Sequence, residues 1–208
     1  MKNITGNGLT QKRKVNHWVH GFLFVFWMVA LFFSLSVNVG AQSKNSIQLL
    51  RAYEQADGLY LDVQMSLTLP PEVIDALQKG IVLYFVMHAD VKRERWYWFD
   101  ATDAQTTKSI KLSYQPLLQQ YRVSVGGIGQ SLATLPEALN VIGTVSQWHI
   151  MDSRTLAISG RKRLNFTFEL DHSKLPSPFQ FSVNNNDEWL IQLTQSVDLQ
   201  LTSSKGGQ

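Results

Sequence analysis

The sequence predicts a mainly β protein: an antiparallel β-sandwich or open barrel of about nine or ten strands with two short helices, after an N-terminal signal or anchor helix. Three observations lead there. Leu59 to Leu69 is apolar at every odd position and, Tyr60 apart, polar at every even one. Successive strand side chains point to opposite faces, so this is one half-buried strand with a dry side and a wet side. Burial is worth roughly 1.5–3 kcal/mol for each large apolar side chain on the dry side. The same period-two alternation recurs downstream in short runs separated by turn residues. A basic flank and a long apolar run precede all of it.

In chain order, Ser46 to Tyr53 reads as a first strand, and Ala56-Asp57-Gly58 as a turn into the long one. Pro70-Pro71 stops that strand. Residues 71–80 then read as a short helix, with Pro71 in the first turn, Glu72 near the positive end of the dipole and Gly80 as terminator. Val73, Ile74 and Leu77 share its apolar face. Ile81 to Met87 lacks polar alternation and is expected as a strand covered on both sides. Ala89 to Glu94 is read as a charged turn, and Arg95 to Phe99 as an aromatic return strand. Ser109 to Tyr114 and then Tyr121 to Val125 alternate again. Gly126-Gly127-Ile128-Gly129 is expected as a hairpin loop, because no Lys-Ser/Thr and no long helix follow to make it a phosphate loop. Leu135 to Gly143 is a second short helix. Gln147 to Thr155 shows no clear period, and Leu156 to Ile158 is read as a short strand. Leu164 to Leu170 alternates cleanly. Phe179, Phe181 and Val183 suggest another strand, Asn184 to Asp187 a turn, and Trp189, Ile191 and Leu193 the start of the last strand.

Domain boundaries follow from composition: a signal or anchor over 1–41, one β-rich domain over 46–202, and a disordered tail over 203–208. Lys12-Arg13-Lys14 leads into the 17 residues Gly21 to Val37, nearly all apolar, and Val39 and Ala41 put small residues at the positions a signal peptidase reads. Cleavage between Ala41 and Gln42 is the preferred reading. The alternative is an uncleaved span over 21–37, just long enough to cross a bilayer and so to keep contact with the inner membrane. Either way the positive flank stays inside and the remainder is expected in the periplasm. The net charge of +3 resides in this leader: beyond Ala41 there are 15 bases against 16 acids. That near-neutral balance supplies no broad positive field for nucleic acid. With no cysteine, disulfides, thiolate nucleophiles and cysteine metal sites are excluded.

No constellation in the sequence calls for catalysis, a metal or a cofactor, and a non-enzymatic role is expected. His88, His149 and His172 are far apart, without metal-ligand spacing. Glu169, Asp171 and His172 could suggest acid–base work, yet an Asp before a proline-bearing turn accounts for Asp171 more simply. Asp100 and Asp103 form a close acidic pair at a strand end, best read as capping. The strongest surface candidate joins Lys92, Arg93 and Arg95, beside Trp96 and Trp98, to Arg161, Lys162 and Arg163. Were the two clusters adjacent, arginine stacking on tryptophan could hold an anionic envelope component or an envelope protein. A carrier of an apolar small molecule or lipid, with Phe166, Phe168, Phe179 and Phe181 around a pocket, is the alternative.

Lys111-Leu-Ser-Tyr114, Leu118 to Ser124, Gln130-Ser-Leu132 and Leu135-Pro-Glu-Ala-Leu139, together with Leu170 to Gln180 and Asn186 to Leu190, form a recognisable set. It resembles the exported proteobacterial proteins grouped as domain of unknown function 4390, over roughly Ser46 to Thr202. Members of that family usually place a second tryptophan in the last strand, where this chain has Thr194 and Gln195. The resemblance implies a single exported domain and carries over no catalytic residue. It also implies an envelope partner, since such proteins are often encoded beside a membrane sensor kinase of the nitrogen-regulation type.

Overall fold

The computed structural model describes residues 45–95, 99–177, 179–180 and 187–199. The expected leader with its expected cleavage between Ala41 and Gln42, the candidate 21–37 span, Trp96 to Trp98, residues 181–186 and the expected tail over 203–208 lie outside the described residues. Among the described residues no helix is long and apolar enough to cross a membrane.

The fold is mainly β: two antiparallel sheets of three and six strands. The smaller has the order β1 (Ser46–Gln55), β2 (Gly58–Ser66), β7 (Thr144–Asp152). The larger runs β6 (Ile128–Leu132), β5 (Gln120–Val125), β4 (Ala101–Gln115), β3 (Leu83–Arg93), β8 (Lys162–Leu170), β9 (Gln192–Leu199). Among the described residues they are accompanied by α1 (Pro71–Gln78), α2 (Leu135–Gly143) and the single turn α3 (Ser153–Leu156).

The alternating stretch does what its period requires. Leu59, Leu61, Val63 and Met65 of β2 are buried, while Tyr60 and Asp62 are half-buried and Gln64 is exposed on the opposite side. Pairing stops at Ser66, three residues short of the expected end, although Leu69 is still buried on the way to Pro70. The dry side of β2 meets Trp148 and Ile150 of β7 and the inner residues of the large sheet, Phe85, Met87, Leu112, Phe166 and Phe168, in one core. Phe85 and Phe168 stack with ring centroids 5.3 Å apart.

Both longer helices form where the sequence places them. Pro71 opens α1, Val73, Ala76 and Leu77 are buried, and Gly80 follows at φ +92°, a conformation glycine takes without penalty. Helix α2 begins with a capping box: Thr134 Oγ1 accepts from the Glu137 N–H, and the Glu137 carboxylate accepts from the Thr134 N–H.

Six expectations are corrected. The charged turn over Ala89–Glu94 is instead the second half of β3, which runs to Arg93; Ala89 and Val91 point inward, and the alternating polar residues Asp90 and Lys92 form the solvent face. The return strand therefore begins at Ala101, and neither Arg95 nor Phe99 is in a strand. Ile128 and Gly129 belong to β6, because Gly126 and Gly127, at φ +56° and +87°, make the tight turn alone. Leu156 closes α3 rather than opening a strand; its side chain is buried and the Ala157 N–H bonds back to Ser153. Phe179 lies in a helical turn whose N–H groups return to Pro176 O, and Trp189 ends a 3-10 turn, so the last strand starts at Gln192. The stretch without clear period, Gln147 to Thr155, divides between β7 and α3.

Candidate functional site

Strands β3 and β8 are antiparallel neighbours, with Lys92 opposite Arg163 and Arg93 opposite Lys162. The two basic clusters that the sequence holds far apart are thus side by side. The pleat sorts them into two rows with different fates.

The inner row is Arg93 and Lys162. Lys162 is only 2% exposed, and its ammonium donates to the backbone carbonyls of Leu156, at 3.0 Å, and Ile158. These carbonyls belong to the end of α3 and the turn after it, which no helical N–H can reach. Burial pulls the Lys162 pKa below the ordinary lysine value, Asp103 opposes that, and Arg93 adds to it. Arg93 Nε donates to both oxygens of Asp103 at 3.1 Å, and the Asp103 side chain is 4% exposed. Gly160 sits at φ +131°, where a Cβ would come within 2.9 Å of Arg93 Cδ, so the turn before β8 is shaped around that arginine. This row ties a turn to the sheet and faces away from solvent.

The outer row faces water. Arg163 pairs with Asp198 at 2.7 Å and with Glu94 at 3.6 Å. Its guanidinium is held above its ordinary pKa, first by the hydrogen bond to Asp198 and then by the charge of that carboxylate. Arg161, 90% exposed, reaches Glu94 from the other side at 3.6 Å, and the Glu94 N–H donates to Arg161 O. Lys92 and Arg95 are exposed, and among the described residues neither meets a carboxylate at ion-pair distance. Lys92, Glu94, Asp100, Arg163 and Asn165 line a pocket of about 210 Å³. Six bases against four acids (Glu94, Asp100, Asp103, Asp198) leave this end of the sheet at +2. Trp96 and Trp98 follow Arg95 directly in sequence and lie outside the described residues.

The remaining candidates separate. Asp171 accepts from the N–H and hydroxyl of Ser173 at 3.1 and 2.5 Å and pairs with Lys174. Burial pushes its carboxyl up, but the bonds from Ser173 and Lys174 outweigh that and hold it below the usual range. It caps a turn, as its sequence context suggests. His172 meets Trp189 O at 2.8 Å and His88 meets Thr107 Oγ1 at 3.1 Å, so neither shares a centre with another histidine. No group of three or more metal-ligating side chains occurs among the described residues. Asp103 holds Arg93 while Asp100 lines the pocket, so the acidic pair is divided. Phe166 and Phe168 are fully buried in the shared core, and Phe179 leans on Trp189 with ring centroids 5.6 Å apart.

Sequence reasoning missed the Arg93–Asp103–Lys162 arrangement, which depends on β3 continuing past Met87, and the role of Asp198, which depends on β9 pairing with β8. It also missed a row of rings on the solvent side of the small sheet, Tyr53, Tyr60 and His149, because β7 had no legible period. Tyr60 was visible as the one even position in its strand that breaks the polar pattern.

No curated protein and no solved structure matches the chain. A family model covers residues 42–198, about three quarters of the chain, and the chain therefore belongs to the family described as domain of unknown function (DUF4390).

Proposed function

We propose that this protein is an exported, non-enzymatic β-sandwich that binds another component of the bacterial cell envelope through the outer row at the β3–β8 end. One observation supports this above the others: Lys92 and Arg163 stand opposite each other on the solvent side, around a pocket, with exposed Arg95 leading into Trp96 and Trp98. Exposed cations followed in sequence by tryptophan suit an acidic or anionic partner, since arginine both stacks and forms paired hydrogen bonds. The modest net charge of this end suits a local contact rather than a nucleic-acid track. Export is supported by the basic flank, apolar run and small residues around Ala41. Two sheets around one core support the sandwich.

The test is crosslinking in intact cells, followed by identification of the captured partner. Compared are the parent, a Lys92→Glu/Arg95→Glu variant and a Trp96→Ala/Trp98→Ala variant. Both variants are expected to fold and to lose capture. Equal capture by all three would remove this end of the sheet as the contact.

A further inference from the structure

The solvent side of the three-stranded sheet holds an arrangement that the proposed contact does not use. Tyr53 is paired with Tyr60 across β1 and β2, and Tyr60 with His149 across β2 and β7, so three rings cross the sheet in one row. Tyr53 and Tyr60 have centroids 6.1 Å apart at an interplanar angle of 25°, and Tyr60 and His149 are 5.2 Å apart at 68°. Gly58 lies beside them: a Cβ there would first strike the Met151 carbonyl oxygen and would also come within 2.9 Å of His149 Nε2.

The rings are fixed by their polar ends. Tyr60 OH donates to Asp57 Oδ2 at 2.6 Å, and Tyr53 OH to Asp62 Oδ1 at 3.3 Å. The same Asp62 oxygen accepts the Gln147 N–H at 2.8 Å, and Gln147 sits at φ +52° where the β2–β7 register shifts. A bulge with a non-glycine residue in left-handed backbone is costly and serves to re-aim side chains. Arg51 lies opposite Asp62, its guanidinium 5.3 Å above the Tyr53 ring, and Asp152 stands 3.5 Å from His149.

We propose that this row is a binding platform for a neutral saccharide chain. Half-exposed rings give C–H-rich sugar faces an apolar surface without the cost of ordering long side chains. Around them the rim offers both kinds of hydrogen-bonding group: acceptors at Asp57, Asp62 and Asp152, and a donor at Arg51. A sugar hydroxyl both donates and accepts, so it can use this mixture; an ammonium ion donates only and would meet Arg51 over the first ring. Three carboxylates against one guanidinium disfavour phosphorylated or otherwise anionic ligands. The inference does not depend on the β3–β8 contact.

The experiment is isothermal titration of the purified full chain with cellohexaose and chitohexaose, with spermine as a cationic arm. Binding of at least one oligosaccharide is expected. Tyr60→Ala should weaken it about tenfold, the scale of one lost ring contact, while Tyr60→Phe keeps the ring and stays within about twofold. Arg95→Ala should leave it unchanged, which separates this face from the basic end. Failure of both oligosaccharides to bind, saccharide binding indifferent to Tyr60→Ala, loss in Tyr60→Phe as large as in Tyr60→Ala, or spermine binding with the same residue dependence would each overturn the proposal.

Discussion

Replacing Asp103 by asparagine tests whether the inner row is structural. The change keeps size and removes charge. It removes the charge that Arg93 Nε binds and that favours the Lys162 ammonium, in a place where the Lys162 side chain sees almost no water. Removing one partner of a buried ion pair costs about 3–5 kcal/mol. Arg93 is 20% exposed and can recover some hydration, which favours the lower end, about 3 kcal/mol. That is a large share of the roughly 5–15 kcal/mol that holds a domain together. For a chain of this size it corresponds to a fall in Tm of about 6–12 °C. Urea unfolding followed by tryptophan fluorescence is the assay, since Trp148 and Trp189 are buried and report core opening. Arg161→Ala is the control: at 90% exposure its pair with Glu94 is worth at most about 1 kcal/mol. Adding Lys162→Met to Asp103→Asn should cost less than the sum of the two single changes, because it removes the charge that Asp103→Asn left unbalanced. A loss for Asp103→Asn below about 1 kcal/mol, or equal to that of Arg161→Ala, would refute the assignment of the inner row to stability.

Phe168→Ala distinguishes a filled core from a ligand pocket. With Phe168 fully buried against Phe85, the loss should be about 3–5 kcal/mol in the same urea titration, and a loss under about 1 kcal/mol would revive the carrier reading. Stability should also fall in acid. The Asp57 carboxyl is held below its ordinary pKa by the Tyr60 hydrogen bond, and that of Asp171 by its Ser173 and Lys174 bonds overcoming burial. For a depressed carboxylate the contribution is complete above the unfolded pKa, about 3.9, and is lost as pH falls through the folded value. Urea midpoints should therefore hold steady from neutral pH to about 5 and decline below about 4, with a shallower decline in Asp171→Asn. An unchanged slope in that variant would remove Asp171 from the account.

Much of the fold was legible because apolar alternation survives translation into burial almost residue by residue, as in Leu59 to Met65 and Leu164 to Leu170. The helices were legible from Pro71, Gly80 and Pro136, residues whose backbone limits act locally. Errors arose where a strand carries charge on its wet side. Asp90 and Lys92 read as a turn until Ala89 and Val91 are seen pointing inward. They also arose where sheet pairing overrides pattern, as in β7, whose bulge at Gln147 breaks the period. The candidate site was legible as two clusters of bases. Which of those bases face inward was not, because that depends on the register between β3 and β8, a pairing that sequence separation hides.

The central position of β2 constrains how the chain assembles. Strands β3 to β6 are sequence neighbours separated by at most seven residues and can join as they emerge, whereas β2 needs β7, and the Asp62–Gln147 bond spans 85 residues. Closing so large a loop must precede any reward from the small sheet. Until it closes, one side of β2 offers unpaired backbone, and the core beside Leu59 to Met65 still lacks Trp148 and Ile150. The newly made polypeptide thus passes through an aggregation-prone interval that ends only when residues near 150 arrive, and an escort that shields β2 during that interval would raise the yield of native protein.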